Sequence, residues 1–303
     1  MIEVGFARSA LVRMVLTPAL WVVPLMAAPP TPSTSSRLAA LEARIGGRLG
    51  VAMLDTGSGR RIDHRGNERF PLCSTFKVLL AGAILSRVDR GQERLDRPLP
   101  YGPADLLEHA PIARAHVAEG RLSVEELCAA AMVVSDNTAA NLLLRTLGGP
   151  SAITAFARTL GDGETRLDRW EPELNEARPG DLRDTTTPRA MIGTLQGLWL
   201  GSALTPASRQ RLEGWMVAAT TGGNKLRAGL PAGWIAGDKT GAGEHGTVND
   251  VALVRPPGRA PILVAAYLTD SQASSEERAA VLAEVGRLAA SEFGAGAPAL
   301  PNP

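Results

Sequence analysis

The stretch WIAGDKTGAGEHGTVNDVALVRPPGRAPILVAAYLT, residues 234–269, reads as three β-strands. Its apolar runs are Trp234–Thr240, Asp250–Arg255 and Ile262–Thr269, with Pro256-Pro257-Gly258 turning between the last two. Runs this short, bounded by Gly and Pro, predict strands and not helices. An amphipathic helix over Ser275–Phe293 follows them. At the other end of the chain, Leu38, Leu41 and Ile45 have helical spacing. Two strands, Leu49–Asp55 and Arg60–His64, come next, joined by the turn-rich Thr56-Gly57-Ser58-Gly59. Residues 74–216 between these ends are mostly helical in pattern. Ser74–Arg90 has apolar positions at 76, 79, 80, 83, 84 and 88. Ser123-Val124-Glu125-Glu126 opens a helix with a capping box. Asn137–Leu147 stops at Gly148-Gly149-Pro150, and Thr205-Pro206 begins a helix running to about Met216. Strands, then helices, then strands predict an α/β (α+β) fold: an antiparallel sheet flanked by helices, with an all-helical lobe inserted.

Composition narrows the functional classes. The 303 residues carry a formal net charge of +1 and only 4% aromatics. Neither a basic surface nor a stacking platform for nucleic acid is indicated. Of the 32 basic residues, three are lysines: Lys77, Lys225 and Lys239. Arginine keeps its proton in proteins, whereas lysine is compact and titrates. A position that holds Lys in an Arg-rich chain is a candidate for that chemistry.

Arg8 and Arg13 precede an apolar run from Met14 to Ala28, closed by Ala27 and Ala28. The run is short for a transmembrane helix and reads as an export signal over residues 1–28, implying a periplasmic protein with no membrane anchor once the signal is removed. PPTPSTSS, residues 29–36, reads as a flexible leader. Two cysteines, Cys73 and Cys128, do not make a metal cluster. The absence of H-x-H-x-D and H-E-x-x-H argues against a zinc hydrolase. No metal or cofactor is expected.

Four short motifs carry the chemistry. Ser74-Thr75-Phe76-Lys77 at a helix start puts the hydroxyl and the amine on one face, with helix N–H groups close by. Ser135-Asp136-Asn137 lies at a break between helical segments. There Ser135 can relay a proton, Asn137 can hold a substrate amide and Lys77, and Asp136 can satisfy backbone N–H groups. Lys239-Thr240-Gly241 closes a strand with a cation and a hydroxyl suited to a carboxylate. Gly241 lets a ligand approach the backbone, and the Ala242 N–H can join that of Ser74 as an oxyanion donor. Finally, Arg169-Trp170-Glu171-Pro172-Glu173-Leu174-Asn175 lies in a long aperiodic stretch, a setting that is usually functional. Glu171 and Asn175 can hold and deprotonate a water, while Arg169 and Asp184 pair across the loop. Taken singly, each motif has a plain structural explanation as a cap, turn or strand end. Their joint occurrence in this order does not.

S-x-x-K, SDN and KTG together are the signature of class A β-lactamases and penicillin-binding proteins. Over residues 37–293 the chain resembles class A β-lactamases, in SDNTAANLLL, RLDRWEPELNEA, DTTTP and LPAGW. The resemblance implies an α/β lobe (29–73 and 217–303), an all-α lobe (74–216) and a crevice between them. It implies Ser74 as acylating nucleophile, Lys77 as base or relay, Ser135 as relay to the lactam nitrogen and Glu171 as deacylation base. Which of Lys77 and Glu171 drives acylation stays open. Asn175 would orient the hydrolytic water. His109, Asn137, Thr221, Lys225, Lys239, Thr240, Gly241, Ala242 and Gly243 would meet substrate. A cis bond is expected at Glu171–Pro172. The implied partners are penicillins and cephalosporins, with carbapenems as an extension, and the enzyme would act as a monomer and confer antibiotic resistance.

The chain departs from the family in three places. Val248 stands where many members have a carboxylate-binding Arg, and Lys225 is expected to substitute for it. Gly243 and Ala81 replace the cysteines that would pair with Cys73 and Cys128, so both thiols are expected free. His109 stands where the family has a rim aromatic, and both stacking and solvation are open to it. A D-alanyl-D-alanine peptidase would share three motifs but would not need Glu171 and Asn175. A penicillin sensor would lack deacylation, and an esterase would carry G-x-S-x-G.

Overall fold

The computed structural model describes residues 1–3, 5 and 32–294. The export signal expected over residues 1–28 lies outside them except for Met1–Glu3 and Gly5. Among the described residues the chain runs α1 (Thr34–Ile45), β1 (Arg48–Asp55), β2 (Arg61–His64) and β3 (Phe70–Pro71). A 3-10 turn at Cys73–Thr75 leads into α2 (Phe76–Asp89). β4 (Pro98–Pro100), α3 (Pro111–Ala115), β5 (Arg121–Ser123), α4 (Val124–Val133), α5 (Asn137–Leu147) and α6 (Ser151–Thr159) follow. β6 (Thr185–Thr186), α7 (Pro188–Trp199) and α8 (Pro206–Val217) lead to β7 (Ile235–Gly243), β8 (Thr247–Arg255), β9 (Ile262–Thr269) and α9 (Ser275–Gly294). No described helix is long and apolar enough to cross a membrane.

Five strands form one antiparallel sheet in the order β2-β1-β9-β8-β7. The two ends of the chain therefore meet where β1 pairs with β9, Val51 opposite Ala266. Side chains on a strand alternate between faces, and β9 uses both. Leu263, Ala265 and Tyr267 join a core with the helices of the chain's middle, while Val264, Ala266 and Leu268 join a second core with α1 and α9. Covering both faces explains why these strands read as continuous apolar runs. α2 is buried at every position from Phe76 to Ser86. A helix apolar all round belongs in the interior, and this one carries Lys77 into the centre of the molecule.

Several expected boundaries shift, β8 among them, which begins at Thr247 and not at Asp250. The helix expected from Ser74 begins at Phe76, because Cys73–Thr75 form a tighter turn and Cys73 takes a positive φ of 43°. The strand expected to end at Thr240 continues to Gly243, since Gly241 still pairs with Asn249 and Gly243 with Thr247. α6 and α7 also lie within the helical middle, without a motif of their own in the sequence reading. Yet Ile153, Phe156 and Ala157 give α6 a buried face, and Thr187-Pro188 caps α7 as Thr205-Pro206 caps α8.

Candidate active site

Ser74 lies on the turn that enters α2, and Lys77 points from the first turn of that helix back toward it. The Lys77 Nζ lies within hydrogen-bond reach of Ser74 Oγ (3.0 Å), the Ser135 carbonyl (2.9 Å) and Oγ (3.2 Å), and Asn137 Oδ1 (2.7 Å). It also lies 3.0 Å from Glu171 Oε1. Ser74 Oγ in turn donates to Glu171 Oε1 at 3.3 Å. Lys77 is wholly buried and Glu171 is 2% exposed. Burial pushes the Lys77 pKa down, and the facing Glu171 carboxylate opposes that shift.

The Ser135-Asp136-Asn137 segment is held from below. Asp136 accepts from the N–H groups of Ile112 (3.0 Å), Ala113 (2.9 Å) and Ala139 (2.9 Å), capping α5 and tying it to α3. Ser135 takes a positive φ of 62°, which turns its side chain between two amines. Lys239 Nζ reaches Ser135 Oγ from the other side at 3.0 Å. Burial, and next the charge of Lys77, push the Lys239 pKa down to about 7.

Glu171 follows a loop pinned at its base. Arg169 Nε bonds Asp184 Oδ2 (2.6 Å), and Asp184 Oδ1 accepts from the N–H groups of Asp168 (2.7 Å) and Arg169 (2.9 Å). The Glu171–Pro172 peptide is cis. Asn175 Nδ2 donates to Glu171 Oε2 at 2.5 Å. Asn141 holds the Glu171 backbone through a reciprocal pair: Nδ2 to the carbonyl at 2.8 Å, and Oδ1 from the N–H at 3.1 Å. Asn141 escaped the sequence reading. Its signal was its place four residues after Asn137, on the same face of α5.

Above these groups lies a crevice of about 380 Å³ lined by Ser74, His109, Ser135, Asn137, Asn175, Thr221, Lys225, Thr240, Gly241 and Ala242. Thr221 and Thr240 share a 2.7 Å hydroxyl contact, and Lys225 Nζ donates to the Thr221 carbonyl at 2.9 Å. His109 Nε2 lies 2.9 Å from the Val134 carbonyl, which directs the ring along the rim. Lys239 stands outside this lining, and so does Gly243. A Cβ there would stand 2.7 Å from Cys73 Sγ and from the Asn175 carbonyl, so its smallness serves packing under the crevice. Both cysteines are free and buried. Burial pushes the Cys73 thiol far up, so it offers no thiolate beside Ser74.

Behind the Lys239 strand sits a second buried cluster that the sequence reading also missed. Asp238 pairs with Arg227, and Asp250 Oδ2 accepts from the Leu226 N–H at 3.1 Å. Burial, then the charge of Asp238, hold the Asp250 pKa well above the usual range.

The profile of the beta-lactamase enzyme family matches residues 33–293. Beta-lactamase L2 of Stenotrophomonas maltophilia is 50% identical over 258 residues, 85% of this chain and 85% of the relative. Beta-lactamase AST-1 of Nocardia asteroides is 48% identical over 258 residues, 85% of this chain and 83% of the relative. Among solved structures, an ancestral (GNCA) class A beta-lactamase superposes with a TM-score of 0.84 at 63% identity, over 86% of this chain and 99% of that one. The putative class A beta-lactamase PenP of Rhodopseudomonas palustris gives 0.84 at 55% identity, over 85% and 98%. The chain belongs to the beta-lactamase enzyme family. Within it, the chain is a class A serine β-lactamase, a hydrolase of β-lactams.

Proposed function

We propose that Ser74 Oγ attacks the lactam carbonyl of penicillins and cephalosporins, that the C–N bond opens to a Ser74 ester, and that a water activated by Glu171 hydrolyses the ester. The observation that carries this reading is the position of Ser74 Oγ within reach of two buried groups, Lys77 Nζ at 3.0 Å and Glu171 Oε1 at 3.3 Å. Each is close enough to take the hydroxyl proton. Burial pushes the Lys77 pKa down, the direction that suits an amine taking up a proton. Ser135 Oγ, between Lys77 and Lys239, returns a proton to the lactam nitrogen as that bond breaks. The oxyanion is held by the backbone N–H groups of Ser74 and Ala242.

Deacylation needs a water beside the ester. Asn175 Nδ2 steadies Glu171 Oε2, while Asn175 Oδ1 is buried without a protein partner and suits a water hydrogen. Lys239 and Thr240, with Thr221 and Lys225 beside them, bind the substrate carboxylate, and Asn137 binds its side-chain amide. His109 borders the same space. The crevice is read as lying between the 29–73/217–303 lobe and the 74–216 lobe. Arg169, Asp184 and Asp136 serve the frame. The enzyme is read as an exported periplasmic monomer that protects its host from β-lactams.

Glu171→Gln tests the reading. Mass spectrometry of the variant after brief exposure to a penicillin should show a persistent adduct on Ser74, and nitrocefin turnover should fall on the order of 10²- to 10⁴-fold. Undiminished turnover would sink the role of Glu171. Loss of the adduct as well as turnover would place Glu171 in acylation too.

A further inference from the structure

Asn249 is buried in β8 opposite Gly241 of β7. Its carboxamide leaves the sheet: Nδ2 donates to the carbonyls of Pro71 (2.9 Å) and Leu72 (3.2 Å), the two residues that lead into the nucleophile turn. Gly241 closes the same contact from β7. A Cβ there would stand 3.0 Å from the Leu72 carbonyl oxygen, 3.2 Å from Asn249 Nδ2 and 3.2 Å from the Cys73 Cβ. The Leu72 carbonyl also receives the Thr75 N–H (3.2 Å) and Oγ1 (2.7 Å). One amide group thus joins the turn bearing Ser74 to the strand pair bearing Ala242.

That turn needs a tie from outside. Cys73 holds a φ of 43°, a region that an L-residue with a side chain keeps only when its surroundings impose it. Leu72 N–H bonds the Asp184 carbonyl at 2.8 Å on the loop side, while Asn249 provides the tie on the sheet side. The two proposed oxyanion donors come from opposite halves of the chain, so local backbone geometry does not set their separation.

We infer that Asn249 is a positioning residue for the oxyanion hole: its carboxamide sets the spacing between the Ser74 and Ala242 N–H groups so that both reach one oxygen. The inference rests on the reading of those two groups as the hole. An oxyanion forms in both acylation and deacylation, so loosening the spacing must slow both steps by one common factor. Lys239 and Thr240 are left in place, so ground-state binding of the lactam changes little.

The test compares unmutated enzyme with Asn249→Leu, which keeps similar volume without the donors, and Asn249→Asp. Single-turnover acylation and deacylation of a penicillin should each fall on the order of 10- to 100-fold in the Leu variant, less than or equal to the loss from removing a whole donor. Affinity for a benzeneboronate, whose tetrahedral adduct on Ser74 places an oxygen in the hole, should fall by a similar factor. In the Asp variant a carboxylate would face two carbonyls, whereas its protonated form can donate to one. Its rates relative to unmutated enzyme should therefore recover as pH falls from 8 to 5, even if the Leu variant folds poorly. Acylation and deacylation falling by clearly different factors, or an Asp variant with no pH-dependent recovery, would overturn the inference. Unmutated enzyme that forms no boronate adduct would overturn the oxyanion-hole reading itself. Adduct formation with equal affinity in the variants would overturn only the role of Asn249.

Discussion

Replacing Asn141 with Ala removes both partners of the Glu171 backbone at once. The two bonds are short, 2.8 and 3.1 Å, and Glu171 is buried. A neutral hydrogen bond contributes about 1 kcal/mol, and a buried group left without a partner costs about 1–3 kcal/mol. Water entering the truncated site offsets part of this, so the loss should be about 2–4 kcal/mol. For a domain of this size a change of 1 kcal/mol moves the Tm by about 2–4 °C, giving a drop of roughly 4–16 °C. The Glu171 carboxylate keeps its contacts with Lys77, Ser74 and Asn175, but its peptide gains freedom. The aim of a base on a water is sensitive to sub-ångström displacement, so deacylation should slow on the order of 10- to 100-fold. Acylation, if Lys77 takes the Ser74 proton as proposed, should suffer less. Thermal melts by circular dichroism and quenched-flow mass spectrometry of the acyl-enzyme measure the two effects separately. A Tm within 1 °C of the unmutated protein would refute the structural part. A lowered Tm with unchanged deacylation would refute the claim that the backbone clamp aims Glu171.

Three more outcomes are expected. With a Lys239 pKa near 7, the cation is present below that pH and lost above it; kcat/KM for a carboxylate-bearing penicillin should decline as pH rises through 7, and the decline should be absent for its methyl ester. Burial and the charge of Asp238 raise the Asp250 pKa in the fold above its unfolded value of 3.8, so the contribution of this group to stability falls as pH rises past that value. Asp250→Asn, whose amide can donate to Asp238 and accept from Leu226, should gain stability at pH 7 relative to pH 3.5 in urea melts; an equal effect at both pH values would reject the raised pKa. Lys225→Ala should raise KM several-fold with little change in kcat, and unchanged penicillin and cephalosporin kinetics would remove Lys225 from carboxylate binding.

Most of the sheet was legible because β1, β8 and β9 are buried along nearly their whole length and bounded by Gly and Pro, and α4, α5 and α8 because Ser123, Asp136 and Thr205 cap them. The start of α2 was misplaced because the tight turn and the positive φ of Cys73 are imposed by Leu72, Asn249 and Asp184 contacts. Such long-range ties leave no periodic trace. The principal polar groups of the site were legible as motifs, since Ser74, Lys77, Ser135, Lys239 and Glu171 sit within short characteristic stretches. Their supports were not. Asn141, Asn249, Asp238 and Asp250 act across elements distant in sequence, and apart from the i,i+4 spacing of Asn141 from Asn137 nothing local marks them. Gly243, two residues beyond Gly241, lies close against Cys73 and the Asn175 carbonyl, a contact its sequence neighbours do not announce.

The scarcity of lysine has a practical side. Lys77 and Lys239 are fully enclosed, and Lys225 stands half-exposed at the mouth of the crevice. Apart from the chain's own α-amino group, a mild amine-selective reagent applied to the folded enzyme therefore meets a single accessible target, next to the space where substrate enters. A fluorophore or a surface linker coupled through ordinary amine chemistry would settle there, reporting on or obstructing that entrance, without any engineered attachment point.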